Sequence, residues 1–412
     1  MGNQVSLLIT KGSTPTTYGH EFVEQSENSI RFVGAYNCSF DGKFKSDSEK
    51  WISKEADELL KRSKLNEKDC IICIVGNTIG SNFLVSKEII PANINQNVAI
   101  IRADERKVNS RYLHYWIMSP YIQYQVQQEA STQAQPSLSL KQVGDFTIAL
   151  PPLNEQNRIA KILSTWDKAI STTEQLLANS QQQKKALMQQ LLSGKKRLLD
   201  NNGVRFSGEW QQCIIEDFFD VGSSKRVLQD DWKNEGTPFY RTRELVSLSK
   251  NEPFRSEVFI ADELFHELSI KYGAPKPGDF LVSGVGTLGI SYQVKDGDKF
   301  YFKDGNVLWF KIREGLFSDY FKYCFQLDFL QEQIVAQASI TTVGTYTIQN
   351  AKKTKFWCPP SIAEQQKIAA VLSTADQEIA ALQQKLDALK QEKMALMQQL
   401  LTGKRRVKVE EA

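Results

Sequence analysis

The sequence predicts an α/β protein: two mixed α/β domains separated by two long coiled-coil helices, related by a pseudo-two-fold internal repeat. Three observations predict it. A long apolar-periodic run occurs twice, a segment of ordinary domain size rich in short strand-like stretches precedes each run, and both runs carry the same start and stop signals.

The first run, Glu155 to Arg197, reads EQNRIAKILSTWDKAISTTEQLLANSQQQKKALMQQLLSGKKR. The second, Glu364 to Arg406, reads EQQKIAAVLSTADQEIAALQQKLDALKQEKMALMQQLLTGKRR and matches it without a gap at roughly half the positions. Pro151-Pro152 and Pro359-Pro360 precede the runs, and Gly-Lys-basic-Arg closes each. The preceding segments match more faintly: DCIICIVGNTIG from Asp69 corresponds to DFLVSGVGTLG from Asp279, Asn97-Val98 to Asn306-Val307, and RYLHYW from Arg111 to DYFKYC from Asp319.

Within the first run, Ile159, Leu163, Trp166, Ile170, Thr173, Leu177, Ser180, Lys184, Leu187 and Leu191 follow at alternating steps of four and three, a heptad a/d stripe. The second run keeps the register with Ile368, Leu372, Ala375, Ile379, Leu382, Leu386, Leu389, Lys393, Leu396 and Leu400. Neither is interrupted by Gly or Pro before Gly194 and Gly403. Each helix is then about 39 residues, or roughly 58 Å long. A helix with such a stripe needs a partner, and the nearest one is the other copy. Periodicity leaves parallel and antiparallel pairing open, and a two-fold relation between repeats favours antiparallel. Thr173, Ser180, Lys184 and Lys393 are polar seam positions that weaken the seam, set its register or face another protein.

The resulting organisation is residues 1–150 and 199–358 as variable domains, with 151–198 and 359–412 as helical regions. Strand candidates are Cys70 to Val75, Val98 to Arg102, Phe146 to Leu150, Asp279 to Ser283 and Asn306 to Ile312; helix candidates are Ser110 to Glu129 and Ser318 to Gln337.

Both domains carry loops of small donors, cations and aromatics. Lys11, Ser13, Thr14, Thr16 and Tyr18 lie in KGSTPTTYG; Ser223, Ser224, Lys225 and Arg226 lie in GSSKR; Tyr240, Arg241 and Arg243 lie in FYRTRE. Gly admits backbone amides close to a phosphate, hydroxyls donate to it, and Arg can span a guanine edge with two bonds. These are the DNA-contact candidates, with solvated turns and strand edges as the plain alternative.

Composition narrows the function classes. With 41% hydrophobic and 24% charged residues the chain is not disordered, and a net charge of +3 confines any nucleic-acid site to a local patch. Six scattered Cys suit a reducing cytosol, and the amino-terminal run from Val5 to Ile9 lacks the plan of a secretory signal, so a cytoplasmic location is expected. The glycines 284, 286 and 289 spell a dinucleotide fingerprint but run into strand-like ISYQV, so they read as a turn. Cys70 and Cys73 read as core thiols, and His20, His114 and His266 have no ligand partners at metal-site spacing. No phosphate loop and no Asn-Pro-Pro-aromatic run of the amino-methyltransferase type occurs. The expectation is a chain that does no chemistry, with no catalytic residue, metal or cofactor of its own.

Two variable domains alternating with two near-identical helices, each helix opened by Pro-Pro and Glu-Gln-x-x-Ile-Ala and closed by ALMQQLL-x-Gly-Lys, resemble the specificity subunit of type I restriction-modification enzymes. The resemblance covers essentially the whole chain. It implies that each variable domain reads one half of a split, asymmetric DNA target while the helix pair sets the distance between halves. It also implies two modification subunits that use S-adenosylmethionine to methylate adenine, and restriction subunits that use ATP and Mg2+. One departure is that Phe206-Ser-Gly-Glu-Trp210 leads into the second domain, whereas the first opens at Met1 without an equivalent segment. The rival readings are a coiled-coil scaffold whose domains bind protein, and a single-chain endonuclease or methyltransferase.

Overall fold

The computed structural model describes all residues except 131–135, 251, 256, 304, 339–343 and 409–412. The chain divides into two compact units: Met1–Glu174 with Gln384–Ala412, and Gln175–Gln383.

In the first unit a four-stranded antiparallel sheet runs in the order Ser6–Lys11, Val98–Ala103, Cys70–Cys73, Asn82–Leu84. Its central strands are apolar at nearly every position because both faces are covered. Cys70, Ile72, Ala99 and Ile101 enter the core that holds the helices, while Ile71, Cys73, Val98 and Ile100 enter a second core on the other face. That second core also takes Val33 and Ile94 from a smaller sheet, ordered Lys50–Ser53, Ser29–Val33, Ala92–Ile94, whose last pair is parallel.

The second unit repeats the plan. Phe219–Gly222, Val307–Ile312, Phe280–Ser283 and Ser291–Gln293 form its antiparallel sheet. Phe280, Val282, Leu308 and Phe310 face the helix-side core, and Leu281, Val307 and Trp309 face the other. A smaller sheet again contains one parallel pair, Thr237–Tyr240 with Tyr301–Phe302. The glycines 284, 286 and 289 lie in the turn between Phe280–Ser283 and Ser291–Gln293.

Three local expectations are corrected. Ser110 to Glu129 is not one helix but two, Ser110–Met118 and Pro120–Ala130. Pro120 lacks the N–H that would continue the ladder, and the Ser119 hydroxyl accepts from Ile122 N instead. Ser318 to Gln337 likewise splits into Ser318–Phe325 and Asp328–Ala338, with no proline at the break. Phe146 to Leu150 is not a strand, although its counterpart Lys355–Cys358 is one, paired with Gln211–Ile214.

The long helices are continuous, Leu153–Leu191 and Ile362–Leu401. Within each unit their segments run antiparallel: ion pairs join Glu155 to Arg406, Asp167 to Lys393 and Glu174 to Lys390 in the first, and Lys184 to Asp376 and Arg197 to Glu364 in the second. The expected seam is in part a three-way core. Ile159, Leu163 and Leu400 pack with Tyr112, Leu113 and Trp116 of the variable domain, and Leu191, Ile368 and Leu372 pack with Tyr320 and Phe321. Among the described residues, no helix is long and apolar enough to cross a membrane.

Candidate nucleic-acid interface

Each variable domain is held to its helices by the same set of polar contacts, and this joint orients whatever the domain presents. In the first unit the Tyr115 hydroxyl donates to Asp167 at 2.5 Å, Lys393 pairs with the same carboxylate at 2.5 Å, and its ammonium lies 5.5 Å from the Tyr115 ring. In the second, Tyr323 donates to Asp376 at 2.8 Å, Lys184 pairs with it at 2.5 Å, and the ammonium lies 5.6 Å from the ring. Lys184 and Lys393, placed on the seam by periodicity, thus join two helices and a domain. Burial and the adjacent carboxylates push both phenols well above the ordinary tyrosine range.

The other contacts repeat as closely. Tyr112 donates to Ala149 O at 2.9 Å and Tyr320 to Trp357 O at 2.7 Å. Gln156 accepts from Asn109 N and Gln365 from Phe317 N. Gln123 ties Gly80 O to Ile117 O, and Gln331 ties Gly289 O to Phe325 O. Arg197 grips the fully buried Glu364 with two bonds, and Arg406 grips Glu155, whose carboxyl it holds below the usual range. The Glu-Gln motif that opens each helix is therefore spent on the joint.

Away from the joints the units differ. Lys11 ends the strand Ser6–Lys11, and Gly12 N donates to Asn95 O at 3.1 Å. A β-carbon at Gly12 would lie 1.7 Å from Ile94 O, so glycine is required for this loop to pass the small sheet. Ser13 is half-buried and the Thr14 hydroxyl meets the Gln96 side chain. Pro15–Tyr18 forms one 3-10 turn that leaves Thr16 and Tyr18 exposed.

In the second unit the two predicted loops come together around Tyr301–Phe302. Ser224 Oγ donates to Phe302 O at 2.6 Å, Ser223 Oγ donates to Val307 O at 2.8 Å, and Lys303 N donates to Tyr240 O at 2.8 Å. Tyr240 stacks on Phe300 with ring centroids 4.6 Å apart. Arg241 makes bonds of 3.0 and 2.5 Å to Glu244 and lies 5.3 Å from the Trp232 ring. Arg243 bonds the same carboxylate at 2.8 Å but is 56% exposed. Burial works against charge on Glu244, yet the two guanidiniums keep its carboxyl below the usual range.

The candidates thus divide by task. Ser223, Ser224 and Arg241 direct their donors into the fold, while Lys11, Thr16, Tyr18, Lys225, Arg226 and Arg243 are exposed. Asn95, Gln96 and Lys303, which border the predicted loops, carry no sequence signal because they are far away along the chain. Among the described residues no group of three or more His, Cys, Asp or Glu is arranged to hold a metal ion.

The repeated two-domain plan has counterparts among known proteins. A family model described as the type I restriction modification DNA specificity domain matches residues 28–179 and 207–391. A Haemophilus influenzae chain named as a type I restriction enzyme specificity subunit is 28% identical over 281 residues, 68% of this chain and 67% of that one. The Escherichia coli EcoBI specificity subunit is 36% identical over 110 residues, 27% of this chain and 23% of that one. Among solved structures, a chain from a type I R-M system studied for complex assembly and conformational transition has a TM-score of 0.58 at 18% identity, covering 96% of this chain and 95% of its own. The type I S subunit from M. genitalium has a TM-score of 0.57 at 13% identity, covering 96% and 94%. These two likenesses concern the fold. The chain belongs to the type I restriction-modification DNA specificity family, as a specificity subunit that serves DNA-sequence recognition.

Proposed function

We propose that each variable domain reads one half of a bipartite, asymmetric DNA target, and that the helix pair fixes the spacer and docks two modification subunits. The observation that carries this reading is the contrast between joints and tips: contacts that orient a domain recur twice, whereas the residues presented to solvent do not. The contact candidates are the twelve residues of the three loops, with the exposed Lys11, Thr16, Tyr18, Lys225, Arg226 and Arg243 facing DNA and the others shaping the loops. A helix of 39 residues is ~58 Å long, on the scale of successive groove positions ~34 to 36 Å apart on B-DNA.

Support for docking comes from the helix surface. Gln175, Gln182, Ala186 and Gln189 form one exposed stripe at helical spacing, and Gln384, Gln391, Ala395 and Gln398 repeat it residue for residue, also exposed. Core packing does not require identity at exposed positions; one kind of partner meeting both copies does. The partners are modification subunits that bind S-adenosylmethionine and methylate adenine, joined by ATP- and Mg2+-dependent restriction subunits. This chain contributes recognition and no catalytic group.

The test is the complex of this chain with its modification subunit, challenged with a random DNA library at several salt concentrations. A motif of two short halves around a fixed spacer, with affinity that falls steeply with salt, is expected. Removing two heptads from one helix should change the spacer or abolish binding. A continuous motif, or an unchanged spacer after the deletion, would contradict the ruler.

A further inference from the structure

One pair of exposed turns is an exception to the divergence of the tips. The first joins Cys70–Cys73 to Asn82–Leu84 through Gly76-Asn77-Thr78-Ile79-Gly80, and the second joins Phe280–Ser283 to Ser291–Gln293 through Gly286-Thr287-Leu288-Gly289. Asn77, Thr78, Gly286 and Thr287 are exposed. The second turn holds two glycines of the sequence that spells a dinucleotide fingerprint, yet a strand and not a helix follows them.

Both turns are fixed in shape by their own hydrogen bonds. Their outer glycines have left-handed φ angles, 94° at Gly76 and 89° at Gly80, 81° at Gly286 and 69° at Gly289. Gly80 N donates to Cys73 O at 2.9 Å and Gly289 N to Ser283 O at 3.1 Å, while Gln123 and Gln331 donate to the Gly80 and Gly289 carbonyls. At Gly76 and Gly286, by contrast, no heavy atom among the described residues lies within 4 Å of the β-carbon position. Among those residues, the N–H groups of Asn77 and Thr78, and of Thr287 and Leu288, find no backbone acceptor.

Each turn stands at the sheet end that carries the predicted DNA loops. Cys73 pairs with Val98 and Lys11 with Ala99; Ser283 pairs with Val307 and Gly222 with Trp309. Ile74 N donates to Asn97 O at 2.8 Å, and the nearby Asn95 O accepts from Gly12 N. Gly284 N donates to Asn306 O at 2.9 Å, and the adjacent Gly305 N donates to Ser223 Oγ at 3.2 Å. The same three segments therefore meet in both units, although the loop after Lys11 and the loop after Gly222 are unlike in sequence.

We propose that the two turns bind DNA phosphates, one in each half of the target. Adjacent backbone N–H groups donate to a phosphodiester oxygen, the exposed threonine adds a hydroxyl, and the bare glycine lets the backbone close on the ligand. Thr78 Oγ1 lies 3.5 Å from Cys73 Sγ, where it can accept the thiol proton and keep its own for the phosphate. The inference rests on the reading of each unit as a DNA-binding domain. It assigns the turns a task that the divergent tips do not have, which is affinity common to every sequence.

The test uses the full-length chain assembled with its modification subunit, and compares Thr78→Asp, Thr287→Asp and the unaltered chain on the selected target and on random DNA. Each carboxylate should lower affinity for both DNAs by the same factor, at least about tenfold, and reduce the slope of log affinity against log salt by about one. The sequence preference of both halves should stay unchanged. Methylphosphonates, which neutralise one phosphate at a time, then locate the contact. One substitution should abolish the penalty of Thr78→Asp alone and another that of Thr287→Asp alone, a result that a misfolded variant cannot give. Variants that bind as the unaltered chain does, a penalty that no single methylphosphonate relieves, or an altered base preference would overturn the inference. Absence of salt-dependent binding by the unaltered complex is a different result, and it would overturn the DNA-binding reading and the inference with it.

Discussion

In the first unit Lys393 and Tyr115 converge on Asp167; in the second, Lys184 and Tyr323 converge on Asp376, with both Lys–Asp distances at 2.5 Å. Beyond the sheets the likeness ends. The first unit presents a Gly12 loop pressed against Ile94 and Asn95, the second an aromatic stack of Tyr240 on Phe300 beside a Glu244 gripped by two arginines. A repeat that keeps its joints and alters its tips holds two different surfaces in one way. Whatever changes a joint should act on stability, and whatever changes a tip should act on one half of recognition alone.

The largest expected effect separates the two joints. Arg197→Ala leaves the fully buried Glu364 carboxylate without its guanidinium and should cost about 3–5 kcal/mol in denaturant unfolding. Arg406→Ala should cost distinctly less, because Arg406 is 67% exposed and its loss lets water reach Glu155. Equal costs would contradict the difference in covering at the two helix ends.

A tip substitution comes next. Arg243→Ala should weaken binding by ~1 to 3 kcal/mol and relax one half-site only, if its guanidinium reads a base. Library selection on the assembled complex would reveal it. Loss spread evenly over both halves would make Arg243 a phosphate contact and blur the distinction between tips.

Tyr115→Phe and Tyr323→Phe each remove one hydroxyl bonded to a carboxylate and should cost about 1.5–3 kcal/mol apiece, by similar amounts. Thermal unfolding of the two variants measures this, and a large inequality would mean that the repeated joint is not energetically repeated.

The smallest effect distinguishes the units by pH. Burial pushes the His114 imidazole down to about 3, whereas its counterpart in the second unit is Lys322. Between the unfolded value near 6.5 and about 3, the unfolded chain binds a proton that the folded chain refuses, so stability falls as pH falls through that window. The slope from this group is at most about 1.4 kcal/mol per pH unit. His114→Leu should remove it, as measured by unfolding between pH 6.5 and 5; an unchanged slope would mean that His114 is not kept neutral.

The joints were partly legible in the sequence and the tips hardly at all. Heptad spacing places Ile159, Leu163, Ile368 and Leu372 on a buried stripe because helical periodicity is local. It cannot show that the same stripe also packs on Tyr112 and Tyr320, since those contacts join distant residues. Lys184 and Lys393 look like flaws in a seam until Tyr323 and Tyr115 supply the rest of the cluster. The break before Pro120 had a visible cause, whereas the break at Gln326 and Leu327 lies in a run whose periodicity passes through it. Phe146 to Leu150 reads as a strand by composition, but a strand is a pairing, and composition does not report the partner. At the tips, Arg241 carries the same sequence signal as Arg243, and only the Glu244 geometry separates one that supports the loop from one that faces outward.

The most direct measurement of the central claim exchanges one tip and leaves every joint intact. Residues 223–260 are replaced by the corresponding segment of another specificity subunit, the chain is co-expressed with its modification subunit, and methyladenine in the host DNA is mapped by single-molecule sequencing. A target in which one half changes while the other half and the spacer stay fixed is the predicted result. A change in both halves, or in the spacer, would contradict an account in which two independent readers are held by a common frame.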